Sequence, residues 1–280
     1  MTGKMRGDII IKRQPRKHFV TGRLRIIVKA AFGSDGVKMS ELLKRTDDLK
    51  RRAETNNMVT HTGFLTPAEA YEVNEAYSDV YLSGGGPDCE RVMAFFLPDY
   101  IEPEYFDVSE YISAVKIEAR FAELSHRDYL GAFLGLGLNR DSVGDIIAEK
   151  DRAYVYCLPA VADFAVLNLD KVGRYGAKAE IIPLDSVPER ENNRKEINFS
   201  VMSLRLDAVV AGMFGMSRTA GMKLVESGLV SLNYKECIRP DKEIKDGDII
   251  SARGYGKGVV KEKGGTSRRG RTFISAEIFK

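Results

Sequence analysis

Cysteine and histidine are scarce in this 280-residue chain, with three of each. Cys89, Cys157 and Cys237 are odd in number and far apart. They therefore suit neither a disulfide framework nor a paired zinc site and read as buried or incidental thiols. His18, His61 and His126 are equally scattered and form no metal-ligand spacing. Long apolar runs are missing as well. The longest, such as "VMAFFL", fall far short of the roughly 18 to 20 residues that cross a bilayer. No basic segment leads into a secretory apolar stretch with a cleavage site, so a cytoplasmic protein with no membrane partner is expected. The 44% of hydrophobic residues is ample for packed cores, and the length suits two or three domains.

Acid and base are unevenly distributed. Residues 1–38 hold 10 basic against 2 acidic groups, and residues 197–280 hold 15 against 9. The stretch between them is acidic, so a polyanion such as nucleic acid would be met at the ends of the chain. Residues 1–38 show no sustained period and read as a basic extension, either a mobile arm or a segment ahead of a native start near Met39. A helix is expected from there, through "SELLKRTDDLKRRAE". A second opens with Thr66 as N-cap, Pro67 at the first position and Glu69 at the third. These make 39–88 a small helical region ending near "SGGGPD".

Residues 89–185 read as a middle domain. "ERVMAFFLP" is a buried strand and "YISAVKIEARF" a half-buried one. "GDIIAEKDRAYVYCLP" gives two strands about a polar turn, "AVADFAVLNLDKVG" a helix and "AKAEIIPL" a last strand. The order predicts an α+β sandwich with its helices on one sheet face. Between the first strands and the hairpin lies "LSHRDYLGAFLGLGLNRDSVGDI", which gathers a histidine, an arginine, an aspartate and glycines as an active-site loop would. Ser125 and Asp128 form a capping-box pattern, however, and Tyr129, Leu130, Phe133 and Leu134 an apolar face. The stretch therefore reads as a capped helix whose Gly131 and Gly135 leave room for another backbone. His126 and Arg127 stay open as contacts to RNA or a partner. Tyr154 and Tyr156 share one strand face, as in a base-stacking platform, but the closely spaced aromatics of such platforms are missing, which favours a covered face or a protein surface.

Residues 186–199 are polar enough for a linker. Residues 200–280 open with two short helices separated near Gly215, the second with Ser217 as N-cap and Gly228 beyond its end. "LVSLN" and "KECI" form a hairpin, "GDIISARG" a later strand, and "RTFISAEIF" a final strand after a glycine-rich basic connection.

"RLD", "SRTAGMKLVESGLVSLN" and "KEIKDGDII", spread over some fifty positions, resemble an S4-type RNA-binding domain. Together with "FLTPAEA", "GGGPDCERVMAFFLPDY" and the capped-helix stretch, they resemble the YlmH family of bacterial S4-domain proteins over roughly 39–280. The resemblance implies an RRM-like middle domain and a non-enzymatic, ribosome-associated protein without cofactor or small-molecule substrate. Its expected partners are rRNA of the large subunit and, secondarily, tRNA, in the handling of stalled large subunits that still hold peptidyl-tRNA. Within the S4 pattern the expected RNA contacts are Arg205, Ser217, Arg218, Thr219, Lys223, Asn233 and Lys235, because guanidinium forks and a helix N-terminus suit phosphate. Asp207 is expected to orient an arginine. Arg253, Lys257, Lys261, Lys263, Arg268, Arg269 and Arg271 would add sequence-independent phosphate contacts. Tyr234 stands where many S4 modules have glycine, which predicts a longer turn or a separate role for the ring.

S4 modules are also appended to RNA-modifying enzymes, so an rRNA methyltransferase or a pseudouridine synthase is the alternative. "LSGGGPD" would be the nucleotide loop of the first, yet it precedes a strand where a helix is needed. The catalytic aspartate motif of the second is not seen.

Overall fold

The computed structural model describes residues 40–119, 123–189, 194–266 and 270–279. The basic extension 1–38 and the tail residues Arg268 and Arg269 lie outside them. The fold is α+β, and among the described residues no helix is long and apolar enough to cross a membrane.

The amino-terminal unit contains α1 (Glu41–Asn56), β1 (Thr60–His61), α2 (Pro67–Ala76), β2 (Tyr81–Ser83) and β3 (Met93–Phe96). Ser40 caps α1 by accepting from Leu43 N–H at 3.2 Å. Thr66 and Glu69 close the predicted capping box on α2. The unit is more than helical, since β3 pairs antiparallel with both β1 and β2. The predicted boundary at 88/89 therefore falls inside a hairpin. The strand expected in "ERVMAFFLP" exists, but it belongs to this small sheet.

The middle unit runs β4 (Ser113–Glu118), α3 (His126–Gly135), β5 (Val143–Ala148), β6 (Arg152–Cys157), α4 (Pro159–Asn168), β7 (Lys171–Val172), β8 (Tyr175–Gly176) and β9 (Lys178–Ile182). Its four-stranded antiparallel sheet has the order β5-β6-β4-β9. Two split βαβ crossovers interleave in that order, and both helices lie on one face. Val115, Ile117, Val155 and Cys157 from the strands meet Tyr129, Phe133, Val161 and Ala165 from the helices. Burial pushes the Cys157 thiol up to about 12. The α4 helix stops at Asn168, and the expected helical tail forms the β7–β8 hairpin instead. The "SHRD" stretch does open a capped helix, with Asp128 accepting from the Ser125 N–H and hydroxyl, each at 2.7 Å. No other part of the described chain comes within 4 Å of a side chain built at Gly131 or Gly135, so the close approach expected there is not made internally.

The carboxy-terminal unit contains β10 (Arg194–Val201), α5 (Leu206–Met213), α6 (Arg218–Glu226), β11 (Val230–Leu232), β12 (Lys235–Glu236), β13 (Ile249–Ala252), β14 (Gly256–Thr266) and β15 (Thr272–Phe279). They build one sheet, β10-β15-β14-β13-β11-β12, over the two helices. Two expectations are corrected here. Residues 194–199, the last part of the expected linker, belong to the eight-residue edge strand β10, which pairs with β15. Within the glycine-rich connection, residues 256–266 form the eleven-residue β14, paired with β15 from Lys257 to Thr266 and with β13 over Gly256–Val259.

Two seams join the units. At the first, the buried Arg91 guanidinium donates to the carbonyls of Val143, Phe64 and Arg140. Asp145 answers by accepting from the Glu90 and Arg91 N–H groups at 2.6 and 3.1 Å. Desolvation lowers the Arg91 pKa from its ordinary value, and three carbonyls offset that cost. At the second, Asp88 pairs with Arg194 and Glu90 with Lys257, so the carboxy-terminal sheet is held to the amino-terminal unit.

Candidate nucleic-acid interface

Two short helices and one buried carboxylate organise the candidate site. Arg205, an expected RNA contact, is the N-cap of α5. The segment after β12 crosses that helix end and closes it. Leu206 N–H donates to Lys242 O at 2.8 Å and Asp207 N–H to Pro240 O at 3.1 Å. With the amides satisfied, the Asp207 side chain turns back along the helix, 1% exposed. It accepts from Arg205 Nε and Nη2 at 3.1 and 3.2 Å and from Ala208 N–H at 2.9 Å.

The same carboxylate reaches the second helix, lying 3.6 Å from Arg218 Nε. One negative charge thus holds two guanidinium groups whose side chains remain 40% and 57% exposed. The hydrogen bond to Asp207 is the main cause raising the Arg205 pKa, so this cation stays charged at any working pH. The approach of the helices depends on Gly221, where a methyl would sit 2.7 Å from Asp207 O. The start of α6 is open. Ser217 spends its acceptor on Ala220 N–H at 3.2 Å, while the N–H groups of Arg218 and Thr219 have no backbone acceptor among the described residues. Ser217, Arg218, Thr219 and Lys223 are all exposed. Exposed cations over a free helix N-terminus form an anion-binding surface.

Other expected contacts lie elsewhere or are already engaged. Asn233 and Tyr234 occupy a two-residue turn with φ of 51° and 63°, so the turn is tight, not lengthened, despite the missing glycine. The Asn233 amide donates to Asp248 at 2.9 Å and accepts from Ile249 N–H at 2.8 Å, which makes it a turn-shaping group. The half-buried Tyr234 ring meets Tyr71 of α2 edge-on at 6.3 Å. Lys257 is consumed at the same junction. Its ammonium pairs with Glu90 at 3.3 Å and lies over the rings of Tyr234 and Phe279. Lys261 pairs with Glu277 at 2.9 Å, and Arg271 donates to Ser200. Lys235 and Arg253 are exposed, with no ion pair among the described residues. The crossing segment adds Arg239 and Lys242, which sequence reasoning overlooked. Lys242 lay within "KEIKDGDII", a stretch used only as a marker of resemblance, and Arg239 three residues ahead of it.

The middle sheet offers no comparable surface. Tyr154 and Tyr156 are 8% and 2% exposed, so the covered-face reading holds and the platform does not form. Tyr156 packs among Phe64, Met93, Phe95 and Ile112 beneath the amino-terminal unit, and its burial raises the phenol pKa. The triple glycine belongs to the same contact. A methyl at Gly86 would sit 2.1 Å from the Tyr156 oxygen, and the loop leads into β3 with no helix to receive a phosphate.

Residues 103–186 match the family described as "Putative RNA-binding domain in YlmH". The chain is 31% identical over 232 residues to the Ribosome-associated protein quality control protein P2 of Bacillus subtilis (strain 168), covering 81% of this chain and 90% of that protein. A solved structure, the cell division protein ylmH from Streptococcus pneumoniae, aligns with a TM-score of 0.46 at 21% identity, over 55% of this chain and 98% of that one. With nearly the whole of a curated relative matched at this identity, and with the sequence motifs in place, the chain belongs to the YlmH family.

Proposed function

We propose that this protein is a cytoplasmic, non-enzymatic RNA-binding protein whose carboxy-terminal unit acts as an S4-type domain on structured rRNA of the large ribosomal subunit. In this reading the middle unit is RRM-like in topology but serves as scaffold. The observation that carries the proposal is the Arg205–Asp207–Arg218 cluster beside the open end of α6. A buried carboxylate that fixes two outward-facing guanidinium groups prepays the ordering that a phosphate clamp needs. The likeness to a ribosome-associated quality control protein supports extending the role to stalled large subunits that hold peptidyl-tRNA, with tRNA as a second contact.

The test is co-sedimentation with large subunits at moderate salt. Arg205→Ala combined with Arg218→Ala should abolish it, with circular dichroism as the check on folding. Lys223→Glu, on the exposed face of α6, should weaken it without touching Asp207. Unchanged co-sedimentation in both variants would put the binding surface elsewhere.

A further inference from the structure

The phosphate-binding reading leaves unused an exposed tyrosine, Tyr255, that packs beside the half-buried Phe214. The turn from β13 to β14 is closed by Tyr255 N–H donating to Ala252 O at 2.9 Å. Gly254 and Gly256 flank it with φ of 83° and 114°, conformations that fix the turn and that side chains rarely adopt. Tyr255 is thereby held at the apex, and its side chain is 53% exposed. Its internal neighbour is Phe214, with ring centroids 6.3 Å apart and planes at 50°. Phe214 ends α5, packs against the carboxy-terminal core and precedes Ser217 by three residues. Arg253, two residues before Tyr255 in sequence, is exposed as well.

Phe214 and Arg205 stand at opposite ends of α5, whose eight residues span roughly 12 Å, a distance that a few nucleotides bridge. Tyr234 provides the contrast, because its ring is packed onto another unit and offers no free face of this kind.

We infer that Tyr255, backed by Phe214, is a stacking site for an unpaired nucleobase. The inference rests on the RNA-binding reading and narrows the ligand to a structured RNA with at least one base outside the duplex. Bases within an A-form helix are already stacked and inaccessible to a ring, whereas an unpaired base can lie on any aromatic face without sequence preference.

The full chain would be titrated with two RNA hairpins of identical stem. One is blunt and the other carries three unpaired nucleotides, one of them 2-aminopurine. Wild type should bind the second more tightly, on the order of tenfold, and quench its fluorescence. Tyr255→Ala should erase both the advantage and the quench while keeping the blunt-stem affinity, and Tyr255→Phe should preserve both. An advantage and quench that survive Tyr255→Ala would overturn the inference. Equal binding of the two RNAs by wild type would overturn it too, leaving the RNA-binding reading intact. Failure to bind either RNA would remove that reading, and the inference with it.

Discussion

Two arginine–aspartate assemblies in this molecule use the same chemistry to opposite ends. At the seam of the first two units, Arg91 points inward and gives its donors to three backbone carbonyls, while Asp145 takes two backbone N–H groups. At the start of α5, Asp207 is the buried partner and the arginines face outward. The burial pattern, not the residue types, separates a structural cation from one left open to solvent. An arginine whose fork is filled by carbonyls has nothing left for phosphate, whereas one held by a single carboxylate edge keeps donors free.

The sharpest way to break this contrast is at Arg91. Its replacement by alanine orphans buried carbonyls and should lower stability by about 3 kcal/mol or more, read by chemical denaturation. A loss below 1 kcal/mol would mean that the seam is not held this way. Arg218→Ala should do the reverse, weakening RNA binding about tenfold with an unfolding midpoint close to wild type, as filter binding and thermal melts would show. Gly221→Ala couples the two properties. Helix propensity favours alanine by about 1 kcal/mol, but a methyl 2.7 Å from a backbone carbonyl forces the helices apart. Overpacking of that kind costs roughly 1–3 kcal/mol, so net destabilisation and weaker binding are expected together.

A smaller effect is expected from Lys223→Glu, which should leave stability unchanged and flatten the salt dependence of RNA binding by about one unit of slope or more. The smallest concerns acid. The Ser125 hydrogen bonds hold the Asp128 pKa below the ordinary carboxylate value of 3.8. The stability they add is present above that value and is lost as pH falls through the lowered one. Asp128→Asn should therefore blunt acid sensitivity below pH 3.8 in a urea-midpoint series, while neutral-pH binding stays the same.

What was legible in the sequence was local. The caps at Thr66, Ser125 and Ser217 each depend on residues within three positions and were found where the patterns predicted them. The paired helices and hairpin of the carboxy-terminal unit were equally readable, because their turn residues sit at fixed offsets. What the sequence did not reveal depended on distant partners. The turn-shaping bond of the Asn233 amide was not legible because its partner Asp248 lies fifteen positions away. Lys257 looked free because Glu90 is 167 positions distant. "GKGVVKEKGGT" has the composition of a loop and becomes a strand through β15, joined by β13 over its first four residues. The role of Asp207 in orienting an arginine was anticipated, but its hold on two was not, since Arg218 reaches it only through the crossing of α5 and α6.

The central claim is that RNA meets the carboxy-terminal unit and not the middle sheet, whose aromatic face is closed. Crosslinking the chain to bound large subunits and mapping the modified peptides by mass spectrometry tests it most directly. The account predicts crosslinks at residues 205, 217–223 and 235–255, with none on the buried sheet face. Crosslinks concentrated within residues 103–186 would contradict it.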